Sequence, residues 1–200
     1  KILTELLAEH DVRLVLQGHM HENERITVGG VEYVESISLS GSWWKAGMGL
    51  ERGVDGTPRG YRIVRVDGAK VAHRYRSSCE SFVDWQGEWY PLGQTADVTA
   101  TRQFVFNCYD APNGSTAEGR LDDGPWQPMP ACSMKSKPTP DLTMPHHYQL
   151  TIDNSKLAPG EHTLAARVTW PDGTVVQELR GWAVACPRHE HQVAWGGSLH

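Results

Sequence analysis

Two histidines set two residues apart, in Gly18-His19-Met20-His21, carry the clearest chemistry in the sequence. In a turning segment both rings can face one cleft and offer imidazole nitrogens to a metal at about 2.0–2.1 Å. Gly18, having no Cβ, lets the backbone bend sharply just before them. The tetrapeptide follows VRLVL at 12–16, a nearly continuous apolar run expected of a strand buried on both faces of a mixed α/β sheet. Open α/β sheets keep their ligand sites at the C-terminal ends of such strands, which is where these histidines fall. Two imidazoles alone are short of the three protein ligands that a tight site uses.

Other residues admit two readings each. Trp43 and Trp44 sit on a loop rich in Gly and Ser, where they either wall a substrate pocket or plug a domain interface. Asp55 and Arg59 either meet a substrate phosphate or fix the turn around Pro58. His146 and His147, like His189 and His191 in the tail, have no turn signal beside them and read as solvated side chains. The four cysteines, Cys79, Cys108, Cys132 and Cys186, are too far apart for a CxxC zinc motif. Cys108 and Cys186 each close a strand-like run, so they are either a disulfide of an exported protein or two buried thiols.

The elements that must position these residues can be read from periodicity and turn signals. Ile2, Leu3, Leu6 and Leu7 mark a short helix over 1–11 that begins without Met or an N-cap, the opening expected of a chain cut within a domain. Gly29-Gly30 joins strands 25–28 and 31–37, and Asp67-Gly68 joins 60–66 and 69–75. Residues 77–100 show no sustained period and are expected to be a junction. From Thr101 onward every signal is β, with strands at 103–108, 117–121, 148–152, 162–170, 175–179 and 182–186. Asp172-Gly173 makes the tightest hairpin, and residues 127–145 read as a long proline-rich loop. The fold expected is a mixed α/β fragment over 1–76, a junction over 77–100, an all-β immunoglobulin-like sandwich over 101–187, and a tail over 188–200.

The stretch from Val12 to Tyr75 resembles the end of the calcineurin-like metallophosphoesterase domain, whose final motif is a strand followed by GHxH, as in VRLVLQGHMH. GSWWKAG at 41–47 and DGTPRGY at 55–61 resemble the bacterial branch that carries its own C-terminal β-domain. DDGPWQPM at 122–129 and LAPGEHTLAARVTWPDG at 157–173 resemble that β-domain, so the likeness runs to about Cys186. It implies a hydrolase with two divalent or transition metal ions, His19 binding one and His21 the other, acting on a small phosphate ester. Zinc, manganese and iron all suit imidazole ligands. Within the substrate-binding reading, Trp43, Trp44 and Arg59 would line that pocket. The family's Asp-x-His, GDxxD and Asn-His elements lie upstream of GHxH and are not in this sequence. The likeness therefore assigns no catalytic residue to this chain and implies that it is inactive alone, completed by a missing N-terminal part.

Composition narrows the alternatives. Lys and Arg number 19 against 24 Asp and Glu, a net charge of −5 with no basic patch, so a nucleic-acid backbone is not the expected partner. The longest apolar runs are far too short to span a bilayer, and no signal peptide is visible. A periplasmic or extracellular location follows only from the disulfide reading. The competing reading is a non-catalytic β-sandwich that binds a carbohydrate or a cell-envelope partner, because sandwiches host many functions.

Overall fold

A computed structural model describes residues 2–39, 52–53, 55–78, 86–90, 101–132, 146–153, 156–158 and 160–184. Helix α1 (Ile2–Glu9) ends by the geometry of its last turn. The Val12 amide donates to the Leu7 carbonyl at 3.1 Å and the Asp11 amide to the Ala8 carbonyl at 3.3 Å. Asp11 takes the left-handed conformation, φ 54°, that this Schellman closure needs. Strands β1 (Leu14–Gln17), β2 (Glu24–Val28) and β3 (Val31–Glu35) follow. They form a sheet in the order β1-β3-β2, with β1 parallel and β2 antiparallel to the central strand. Gly29 and Gly30, at φ 60° and 82°, supply the two positive dihedrals of a type I′ turn between β2 and β3.

Strands β4 (Gly60–Asp67) and β5 (Lys70–Ser77) make a separate two-stranded hairpin. A lone hairpin is marginal in water, and this one is anchored at its base. Tyr75 packs edge-on to Tyr109, with Ile37 in the same small core. The remaining strands are β6 (Gly87–Tyr90), β7 (Thr101–Cys108), β8 (Thr116–Leu121), β9 (Gln127–Met129), β10 (His147–Asp153), β11 (Gly160–Thr169) and β12 (Val175–Val184). They form two sheets, β10-β7-β6 and β12-β11-β8-β9. Alternate residues of both enter the main core: Trp89, Phe104, Phe106, Tyr148, Leu150 and Ile152 from the first, and Leu164, Ala166 and Val168 among those from the second. The described chain is thus mostly strand with one short helix.

Several expectations need correction. The run at 12–16 is not buried on both faces: among the described residues β1 pairs on one side only, Leu16 is 56 % exposed, and an open groove of about 620 Å³ lies between β1 and the tip of the β4–β5 hairpin. Continuous apolarity reported a strand here but not what covers it. Residues 77–100 contain a strand, β6, whose four residues are too few to show a period yet pair with Cys108 through Val105. The two strands expected at 175–179 and 182–186 are one, because Gly181 stays in register opposite Thr163. Cys186 lies outside the described residues, so its pairing with Cys108 is not described; Cys108 itself is fully buried.

Phe106 is fully buried, with its ring 5.3 Å from that of Trp89. A Cβ at Gly87 would approach the Phe106 ring to 2.5 Å, which shows how little space surrounds it. Phe106→Ala is expected to cost about 3–5 kcal/mol in urea unfolding, the usual range for emptying a well-packed aromatic site. A loss below about 1 kcal/mol would mean that the two sheets do not share this core.

Candidate functional site

The Gly18–His21 corner lies between two strands that flank β3. Gln17, the last residue of β1, and Glu24, the first of β2, are both in register with Glu35 at the end of β3. The six connecting residues must therefore arch over the C-terminal end of the central strand, and both histidines are on that arch. His19 is exposed and His21 half-buried. His19 has φ 117° and His21 φ 61°, so two of the four non-glycine residues with positive φ among those described are the two histidines. For a side chain with a Cβ such backbone costs about 1–3 kcal/mol per residue and persists only where surrounding contacts enforce it.

Those contacts are visible. The Met20 amide, between the histidines, donates to Glu35 Oε1 at 2.6 Å. At the far end of the arch the Asn23 amide donates to Asp55 Oδ2 at 3.2 Å. Gly53 lies so close beneath that a Cβ there would come within 2.5 Å of the His21 carbonyl. Glu22, 6 % exposed, sits among these acids; burial first, then the charges of Asp55, Glu24 and Glu35, pushes its carboxyl up to about 8.

Asp55 is fully buried and ties the arch to the sheets beyond residue 86. Its carboxylate accepts from the Thr57 amide at 3.2 Å and from the Thr57 hydroxyl, and faces His146 Nε2 at 3.3 Å. Its carbonyl accepts from Asn107 Nδ2 at 3.0 Å and from His147 Nε2 at 2.9 Å. His146 Nδ1 in turn meets Asn107 Oδ1 at 2.7 Å. Burial raises the Asp55 pKa, but the His146 and Thr57 hydrogen bonds and the nearby imidazoles outweigh it and hold the carboxyl below its usual range. A second buried link pairs Arg52 with Glu88 of β6, the Arg52 Nη2 bond to Oε2 being 3.0 Å. A third centres on Asp110, which accepts from Arg62 at 2.7 Å and from the Tyr75 amide at 3.2 Å.

These positions revise several expectations from sequence. His146 and His147 are not solvated: both are buried, and their acidic partner Asp55 comes from about ninety residues earlier in the chain. Asp55 takes the turn-fixing role around Thr57 and Pro58. Arg59 is half-buried just before β4, its carbonyl accepting from the Ser78 amide at 2.9 Å. Trp43, Trp44, His189 and His191 lie outside the described residues. Glu35, Asn23 and Asn107 had no sequence signal at all, since each acts through a partner distant in sequence or on another strand. On the sheet β12-β11-β8-β9, the guanidiniums of Arg120 and Arg167 lie over the Trp126 ring at 4.9 and 4.4 Å, while Arg25 covers Trp170 at 4.8 Å. Both rings are half-buried.

An exposed and a half-buried imidazole on one braced corner are of a kind that can donate to a metal, but two are too few for a ligand set. Among the described residues no group of three or more His, Cys, Asp or Glu is placed to hold an ion. This β-rich chain with a histidine corner matches the family model described as the C terminal of Calcineurin-like phosphoesterase over residues 32–158. That is more than half of the chain, and the chain belongs to this family. No curated protein matches it at a significant level. Among the described residues no helix is long and apolar enough to cross a membrane.

The buried histidine pair gives a pH prediction. His147 donates from Nε2, which leaves Nδ1 to take any added proton, and that atom is buried without a hydrogen-bond partner. Burial, then the neighbouring His146, pushes its pKa down from 6.5 to about 3. Between about pH 6.5 and 3 the unfolded chain binds a proton here that the folded chain refuses, so stability falls as the pH drops through that window. Thermal midpoints should fall less steeply between pH 6.5 and 4 for His147→Gln, which keeps a donor but cannot titrate. Parallel curves for the two proteins would contradict this.

Proposed function

We propose that this chain is the closing part of a metal-dependent phosphoesterase, in which His19 and His21 each give an imidazole to a dinuclear site. The single observation that carries the reading is the braced corner at the C-terminal end of β1. Its two strained histidines precede, in one chain, a region that belongs to the phosphoesterase C-terminal family. In this reading residues 1–76 are the end of a mixed α/β catalytic domain and 101–187 an immunoglobulin-like sandwich, to whose sheet the stretch between them contributes β6. A bound metal pair would supply charge neutralisation at the phosphoryl group and activation of water. The chain's own residues do the rest of what can be assigned to it. His19 and His21 present nitrogens, the bonds to Glu35 and Asp55 hold the corner that carries them, and the β-region holds Asp55 in place. The remaining ligands and the acid–base groups come from outside this chain, and the substrate class is a small phosphate ester.

The test uses the intact protein, its His19→Ala and His21→Ala variants, and this chain alone. Each is assayed for metal content and for metal-supplemented hydrolysis of a chromogenic phosphodiester. Losing a ligand should cost at least what losing a ligand's hydrogen-bond partner costs, so each variant is expected to lose about a hundredfold or more of activity. Metal content should fall in parallel, and the chain alone should be inactive. Full turnover by both variants, or robust turnover by the chain alone, would sink the proposal.

A further inference from the structure

We infer that Glu35 is a positioning residue for the histidine corner, its carboxylate pinning the peptide between His19 and His21. The inference rests on the metal-site reading above and adds a residue to it. Three independent observations converge on Glu35. The register places it directly under the arch, level with both Gln17 and Glu24. Its Oε1 accepts from the Met20 amide at 2.6 Å, in the peptide that joins His19 to Met20, one residue before His21. Both histidines hold positive φ, a conformation the backbone abandons unless something holds it. Glu35 is itself 5 % exposed, so the acceptor side of the bond is buried.

A carboxylate accepts from a backbone amide in a charge-assisted bond, roughly twice as strong as a neutral one. Partners that orient metal ligands without touching the metal typically change affinity by about 10–100-fold when removed. Glu35 fits that role through the backbone rather than through an imidazole nitrogen.

The test compares Glu35→Ala and Glu35→Gln with the wild type. In this chain, amide hydrogen exchange at Met20 should speed up at least about tenfold in Glu35→Ala, while amides in the middle of β7 and β11 keep their protection. Glu35→Gln, whose side-chain oxygen still accepts, should retain most of it. In the intact protein, Zn²⁺ affinity measured by titration should fall about 10–100-fold in Glu35→Ala and recover partly in Glu35→Gln. Unchanged Met20 exchange in Glu35→Ala would overturn the inference. So would unchanged Zn²⁺ affinity in Glu35→Ala when His19→Ala has lost it. If His19→Ala keeps full Zn²⁺ affinity, the metal-site reading fails instead, and the Met20 result alone then decides whether Glu35 holds the corner.

Discussion

The structure depends on a buried carboxylate. Asp55 is sealed from water, yet it meets the end of the histidine arch, its own turn, and both histidines at the start of β10. A charge in that position costs several kcal/mol to desolvate, and it persists because its hydrogen bonds are complete. Around it, beside the small apolar cluster of Ile37, Tyr75 and Tyr109, the contact between the first 78 residues and the later sheets carries buried polar pairs: Arg52 with Glu88, Arg62 with Asp110, Asn23 with Tyr109. Polar contacts of this kind have fixed partners and directions. They set how the two parts meet more sharply than an apolar patch of equal area, and breaking one leaves an uncompensated buried group.

How much of this was legible from sequence follows from the range of each interaction. Gly29-Gly30, Asp67-Gly68 and Asp172-Gly173 located three hairpins, because a tight turn is specified by the residues within it. Strands β7, β8, β10 and β11 were read close to their true bounds from alternation. What failed is what depends on distant neighbours. The coverage of β1, the existence of β6 and the continuity of β12 are settled by what pairs beside them. The histidine corner was visible as a motif, but its supports were not. Glu35 looked like an ordinary strand-end acid, and His146 and His147 looked solvated because Asp55 is nowhere near them in sequence.

The same network connects the β-region to the candidate site. From Asn107 and His147 to Asp55, and from Asp55 to the Asn23 amide, the path to the arch is two hydrogen bonds long. The β-sheets after residue 86 thus do more than follow the histidine corner in the chain. They hold the carboxylate that closes one end of it, while Glu35 holds its middle.

The measurement that tests this account most directly is native-state hydrogen exchange on Asp55→Asn against the wild type. If Asp55 is the hub, the Asn23 and Thr57 amides should lose protection together. The amides of Cys108 and Gln149, which bond the His146 and Pro130 carbonyls near the start of β10, should loosen with them. Loss confined to Thr57, with Asn23 and the β10 region unchanged, would contradict the account and reduce Asp55 to a local turn former.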